Sequence, residues 1–99
     1  MRPIHIAHLD KARPVVVLTR EVVRPYLRRV TVAPITTAVR GLSSEVPVGV
    51  DNGLDQPGVV NCDNIATVPA TALGRQIGYL LAGQEPQLAE AIRAAFDLS

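Results

Sequence analysis

The segment Arg13-Pro14-Val15-Val16-Val17-Leu18-Thr19 carries four consecutive apolar residues between polar ones. Such a run is typical of a β-strand that is buried on both faces. A second strand is predicted at residues 29–37, where valine and threonine alternate before a further apolar run. Only residues 20–28, which contain Pro25 and predict a short turn, separate the two segments. The two strands are therefore expected to pair antiparallel at the centre of the fold.

The register of this pair predicts which side chains meet at its end. If Thr19 lies opposite Val30, the same register places Arg13 opposite Thr36. A guanidinium donates hydrogen bonds in a planar fork that suits phosphate, and a hydroxyl both donates and accepts. The pair therefore indicates a phosphodiester-binding site. In a purely structural alternative, the arginine extends to solvent from a strand end and the threonine is present for its β-propensity.

The composition fits one globular domain spanning residues 1–99. A chain of 99 residues, of which 47% are hydrophobic, suffices for one modest core. Only Tyr26, Tyr79 and Phe96 are aromatic, so the core must be built from aliphatic side chains. So few rings argue against nucleic-acid binding through a platform of stacked aromatics.

The formal net charge of +1 neither favours nor excludes a polyanionic partner. The distribution of charge is more informative, because the first 40 residues contain only Asp10 and Glu21 as acids. The same part of the chain contains the arginines Arg13, Arg20, Arg24, Arg28, Arg29 and Arg40. This basic half suits contacts with phosphate, although a solvated charged face would have the same composition.

The sequence predicts no cofactor and no metal site. Cys62 is the one cysteine, so an internal disulfide is impossible, and a buried apolar role is expected for it. His5 and His8 would point to opposite faces of a strand, which favours packing or surface roles. Neither a signal peptide nor a stretch of about 18 apolar residues is present, so a cytoplasmic location and no membrane insertion are expected.

The rest of the chain predicts short strands followed by one helix. Strands are expected at residues 1–9, 45–50, 59–62, 65–68 and 75–81. Pro47 places its strand at an edge or its residue in a bulge, and Gly78 marks a bend or a close approach. A C-terminal amphipathic helix is predicted from apolar residues at helical spacing, namely Leu88, Ala91, Ile92, Ala95 and Phe96. The fold class is mainly β with α, a small, strongly curved barrel that carries one helix.

Three segments, taken in order, resemble the MazF/PemK family of endoribonuclease toxins from bacterial toxin–antitoxin modules. Residues 13–18 match the family's RPVVVL strand, residues 32–37 its V-x-P-[IC]-T-T strand, and residues 59–68 its V-x-x-D-Q-x-x-T-V strand. Each segment alone is an ordinary apolar strand, whereas the three together agree in order and spacing over most of the chain. The resemblance implies an SH3-like small β-barrel (PemK/MazF/CcdB-like) with a C-terminal helix.

The resemblance also implies roles for individual residues. In the family, the arginine of the first segment and the first threonine of the second act on RNA, so Arg13 and Thr36 are the expected catalytic residues. Arg40 is a candidate contact for a flanking phosphate, and Asn64, where the family carries glutamine, is a candidate RNA contact. Thr37 is retained as an RNA-binding candidate, although in a regular strand it would face away from Thr36 and act structurally.

The expected function is sequence-selective, metal-independent cleavage of single-stranded RNA. The ribose 2′-hydroxyl can attack the adjacent phosphate and leave a 2′,3′-cyclic phosphate, so the enzyme needs only to orient the attack, stabilise charge and help move protons. The resemblance implies a homodimer with RNA across its interface and a MazE-like antitoxin that covers the groove. Short exposed strands also favour a homodimer.

Two functions without nuclease chemistry are the alternatives. Gyrase-poisoning toxins of the same fold act by binding protein, but they rely on an aromatic C-terminal tail, and residues 96–99 contain no tryptophan. An SH3-like module for proline-rich peptides would need an aromatic-lined groove, which three dispersed rings do not supply. The short connection at residues 10–12 lacks the Gly-Ser-Glu element usual in the family, so no preferred RNA sequence is carried over.

Overall fold

The computed structural model describes residues 1–99 and contains seven β-strands followed by one α-helix. The elements are β1 (Arg2–His8), β2 (Ala12–Val17), β3 (Arg29–Thr36), β4 (Glu45–Val48), β5 (Gly58–Asn61), β6 (Ala66–Pro69), β7 (Leu73–Leu80) and α1 (Glu85–Phe96). A 3-10 turn at Arg24–Tyr26 forms part of the connection between β2 and β3. The predicted architecture, mainly β with a terminal helix, is confirmed.

The strands form one strongly curled antiparallel sheet. Its order is β4-β5-β3-β2-β1-β7, and β6 pairs with β3 beside this path. The first half of β3 pairs with β6, its middle with β2 and its end with β5. Because β3 changes partners along its length, the sheet must bend around it. Strand β4 lies at the edge, which is one of the two positions that Pro47 predicted.

The register between β2 and β3 is the one predicted from sequence. Val15 lies opposite Pro34, and Val17 lies opposite Val32. Continued toward the start of β2, this register brings Arg13 to the level of Thr36, the last residue of β3. The two residues that carry the phosphodiester prediction therefore lie at the same end of the sheet.

The central strand β2 is buried on both faces, as its four-residue apolar run predicted. Val16 belongs to a cluster of 12 buried residues that includes Leu88 and Ala91 of α1. Val15 and Val17 belong to a second cluster of six buried residues. The single core expected from chain length is thus divided in two, because the sheet carries apolar side chains on both of its faces.

Strands β4 and β7 lie at the two ends of the sheet and do not pair with each other. The loop that follows β4 contacts β7 instead. The buried side chain of Asn52, in the loop formed by residues 49–57, donates hydrogen bonds to the Tyr79 carbonyl at 2.9 Å and to Oε1 of Gln84 at 2.7 Å. Gly78 lies so close to this loop that a Cβ there would collide with the Asn52 carbonyl. The close approach predicted at Gly78 is confirmed.

Helix α1 packs against the larger cluster through the predicted apolar face. Leu88 and Ala91 are buried, and Ile92 and Ala95 are partly buried against them. The prediction for Phe96 is wrong, because this side chain is 56% exposed. Phe96 is the last helical residue, and the chain leaves the helix through Asp97 at a φ of 53°. No helix of this structure is long and apolar enough to span a membrane.

Candidate active site

An open cavity of about 500 Å³ lies where β2 begins and β3 ends. Its basic residues are Lys11, Arg13 and Arg75, and Asp55 is its single acid. Thr36, Thr37 and Gln56 add neutral polar groups, and the apolar part of the lining includes Ile35 and Leu54 from the larger core cluster. The curl of the sheet and the 49–57 loop together bring these residues, distant in sequence, around one space.

Arg13 is the most unusual group in this cavity. Its Nε atom is buried and has no hydrogen-bond partner. Arg13 forms no salt bridge. The salt bridges of the structure join Arg2, Arg24 and Arg93 to glutamates. A buried cationic donor without a partner is costly, and an anion in the cavity would satisfy it. Arg13 is therefore suited to bind a phosphate group.

Thr36 presents a hydroxyl with its proton available. Its Oγ1 accepts a hydrogen bond from the Ala38 N–H at 3.1 Å, which leaves the hydroxyl hydrogen free to donate. Thr37 also lines the cavity, although a regular strand would turn it away. Strand β3 ends at Thr36, so the alternation of side chains does not extend to Thr37. Two consecutive threonines thus border the cavity.

The basic residues Lys11 and Arg75 were not predicted from sequence as site residues. Lys11 lies only two positions before Arg13, and this short spacing could have predicted it as a site residue. Arg75 reaches the site through β1, in which Ala7 pairs with Arg13 on one side and with Leu73 on the other. Only the pairing of β7 with β1 reveals this proximity. Three cations beside one carboxylate make the cavity electropositive, as expected for binding a phosphate backbone.

The predicted RNA contacts Arg40 and Asn64 do not line this cavity. The exposed Arg40 lies in a loop whose backbone N–H groups, from Arg40 to Leu42, donate to the Glu45 carboxylate at 2.8–3.2 Å. Asn64 is exposed at a 3-10 turn, where the neighbouring Asp63 accepts a hydrogen bond from Ser44. Any RNA contact by these two residues would therefore lie outside the Arg13–Thr36 cavity.

Cys62 and His5 are held in structural environments. Cys62 is buried in the larger cluster, where desolvation and then the charge of Asp63 raise the pKa of its thiol to about 11. The thiol therefore stays protonated and is a poor nucleophile. Nδ1 of His5 lies 2.8 Å from the Gly74 carbonyl, and its Nε2 lies 3.3 Å from the Arg24 guanidinium. The buried apolar role predicted for Cys62 is confirmed, and of the packing or surface role predicted for His5 the structure shows packing.

Comparisons with known proteins assign the chain to a family. A family model described as "PemK-like, MazF-like toxin of type II toxin-antitoxin system" matches residues 3–96. The chain belongs to this toxin family. Endoribonuclease MazF3 of Mycobacterium tuberculosis is 74% identical over 98 residues, covering 99% of this chain and 95% of that protein. The resemblance inferred from three short segments is therefore confirmed.

Solved structures of MazF toxins have the same fold. The Mycobacterium tuberculosis toxin MazF-mt6 superposes with a TM-score of 0.97 at 73% identity, and the alignment covers 99% of each chain. A more distant structure is an endoribonuclease in complex with its cognate antitoxin from a mycobacterial species. It superposes with a TM-score of 0.86 at 21% identity, covering 98% of this chain and 93% of that one. The curled sheet with its terminal helix is thus the MazF toxin fold.

Proposed function

We propose that this MazF-family toxin is a sequence-selective, metal-independent endoribonuclease that cleaves single-stranded RNA in the cytoplasm and leaves a 2′,3′-cyclic phosphate. One observation carries the proposal: the buried, unpartnered Nε of Arg13 lies in an electropositive cavity that also contains Thr36. Family membership and 74% identity to an endoribonuclease support the reaction class.

In the proposed reaction the ribose 2′-oxygen attacks the adjacent phosphorus. The 2′-hydroxyl loses its proton to water, the bond from phosphorus to the 5′ oxygen breaks, and that oxygen takes up a proton from water. Charge accumulates on the non-bridging oxygens in the transition state. Arg13 donates N–H groups to one of these oxygens, and the Thr36 hydroxyl donates to the other. Donors that are already in position lower the barrier because they need no reorganisation during the reaction.

The donor groups around the cavity support a mechanism that uses the substrate's own nucleophile. Asp55 is the single carboxylate there, and no group of three or more His, Cys, Asp or Glu side chains in the structure could hold a metal ion. Divalent-metal hydrolysis usually relies on several carboxylate or histidine ligands. Cys62, with its raised pKa, lies outside this cavity. The ribose 2′-hydroxyl is therefore the nucleophile in the proposal.

We also propose that the toxin acts as a homodimer and is neutralised by a cognate MazE-like antitoxin. Several large, mainly apolar residues lie at the surface of the chain. The exposed fraction is 77% for Val22, 85% for Tyr26 and 72% for Val50. Burying such side chains against a second copy or an antitoxin removes apolar surface from water. The family description, which places these toxins in type II toxin–antitoxin systems, supports the antitoxin.

Cleavage of a long single-stranded RNA, with mapping of the new ends, tests the proposal. Excess EDTA should leave the rate unchanged, and a substrate with 2′-deoxyribose at the scissile position should resist cleavage. Dependence on magnesium, or cleavage of the deoxy substrate, would refute the mechanism without touching the family assignment.

A matched pair of arginine variants tests the site. Arg13→Ala should lose roughly 10²- to 10³-fold in rate, the usual loss for one oxyanion donor. Arg93→Ala should cleave like the wild type, because Arg93 is an exposed helix residue paired with Glu90 at 2.7 Å. Equal activity of the two variants at equal stability would remove Arg13 from the mechanism.

A further inference from the structure

The cavity contains a second polar element that the proposed cleavage chemistry does not use. Asp55 and Gln56 line it from the 49–57 loop, beside the basic residues and Thr36. Both side chains are exposed, and Asp55 takes part in none of the salt bridges. Since a carboxylate repels phosphate, Asp55 is not suited to bind the phosphate groups of RNA. A carboxylate accepts hydrogen bonds and donates none, so the partner that suits Asp55 is a hydrogen-bond donor on the substrate.

The loop that carries these two residues is firmly attached to the sheet. Asn52 is 2% exposed and accepts from the Gly49 N–H at 3.1 Å, in addition to its bonds to the Tyr79 carbonyl and Gln84. Leu54, next to Asp55, is buried in the larger core cluster. Asp55 and Gln56 therefore project from an anchored segment. A group held in this way discriminates between ligands better than one on a mobile loop.

The backbone of the loop is held as tightly as its side chains. Gly53 adopts a φ of 87°, which favours glycine, and a Cβ there would collide with the Ile77 carbonyl. Gly78 of β7 is equally close to the loop backbone. These contacts fix the loop directly on β7, the strand that carries Arg75. The position of Asp55 relative to the basic residues is thus set by the fold.

We infer that Asp55, assisted by Gln56, determines specificity by reading a nucleobase in which an exocyclic amine lies beside an acceptor ring nitrogen, namely cytosine or adenine, and disfavours uracil at that position. The inference deepens the proposed endoribonuclease function and rests on it. The carboxylate accepts from the base amine, and the Gln56 amide donates to the neighbouring ring nitrogen. Uracil presents a carbonyl where the amine would be, and that oxygen meets the carboxylate without a proton between them.

Cleavage of an RNA library, with sequencing of the cut ends, measures this preference. Asp55→Asn keeps the shape of the side chain but adds an N–H donor that can meet a uracil carbonyl. At one position of the cleavage motif, the ratio of cytosine and adenine to uracil should fall about tenfold in this variant. A loss of this size is usual when a single base contact is removed. Asp55→Ala should also flatten the preference at that position.

Asp51→Asn is the matched control, since Asp51 is an exposed carboxylate of the same loop that does not line the cavity. It should retain the wild-type motif. If Asp55 acts only through its charge, Asp55→Asn would change the rate at all sites by one common factor and leave the motif intact. That result, or a wild-type motif in Asp55→Ala, would overturn the inference.

Binding measurements separate this inference from the proposed function. Short RNAs with 2′-O-methyl groups cannot be cut by 2′-hydroxyl attack, and their affinity can be followed by fluorescence anisotropy. If the wild type cuts no RNA but binds cytosine or adenine oligonucleotides more tightly than uracil ones, and Asp55→Asn loses that difference, base reading stands while the nuclease proposal fails. No base preference in either assay would refute base reading.

Discussion

Replacement of Thr36 by valine separates the chemistry of the site from its stability. Valine keeps the β-branched shape and exchanges the hydroxyl for a methyl group. The exchange removes the acceptor of the Ala38 N–H at 3.1 Å, a solvent-exposed hydrogen bond. The N–H can then bond to water, so the free energy of unfolding should fall by no more than about 1 kcal/mol. Such a loss leaves a domain of ordinary stability almost entirely folded.

The expected loss of activity is much larger. Removing one donor to a developing oxyanion usually costs about 10²- to 10³-fold in rate, which corresponds to roughly 3–4 kcal/mol in the barrier. Single-turnover cleavage of one RNA by Thr36→Val and by the wild type measures this loss of rate. Urea unfolding of the same samples measures the free energy of unfolding.

Thr31→Val is the control on the same strand. Thr31 lies in β3, and its hydroxyl is 3.1 Å from that of Thr67 on β6, away from the cavity. This variant should lose a similar small amount of stability and retain its cleavage rate. The assignment of Thr36 would be refuted by cleavage within about threefold of wild type in Thr36→Val, or by an equal loss of rate in both variants.

Further predictions concern the loop anchor, the buried thiol, the outlying arginine and assembly. Gly78→Ala should destabilise the protein by about 1–3 kcal/mol, because its Cβ would collide with the Asn52 carbonyl. Gly83 has open space around it, so Gly83→Ala should be neutral or slightly stabilising. Equal urea midpoints for the two variants would contradict this prediction. Burial, and then Asp63, raises the pKa of Cys62 from 9.0 to about 11, so the folded state retains a proton that the unfolded chain releases. Stability should therefore fall as pH rises from about 9 to about 11, and a Cys62→Ala variant that fell just as steeply in pH-dependent melts would refute this origin. Arg40→Ala should raise KM and reduce the salt dependence of binding with kcat unchanged, while a loss of kcat alone would place Arg40 in the chemistry. Light scattering should report about twice the 10.6 kDa chain mass, and a monomer that cleaves RNA would remove the homodimer from the proposal.

Much of the fold could be predicted from sequence because its signals are local. The apolar run in residues 15–18 indicated a strand buried on both faces, and β2 is such a strand. The alternation in β3 indicated its pairing, and the observed register of Val15 with Pro34 is the predicted one. Side-chain periodicity encodes which face of a strand or helix is buried, so it is readable without the tertiary structure. It failed for Phe96, the last residue of the helix, which is exposed although it stands at the predicted spacing.

The position of Arg13 and Thr36 in one cavity followed from that register, and family resemblance supplied the chemistry expected of them. The remaining members of the site depended on the tertiary structure. Arg75 approaches Arg13 only because β1 pairs with both β2 and β7. Asp55 enters the cavity only because Asn52 and Gly78 hold its loop against β7. These contacts join residues far apart in the chain through the curl of the sheet, and no local pattern encodes the curvature that brings them together.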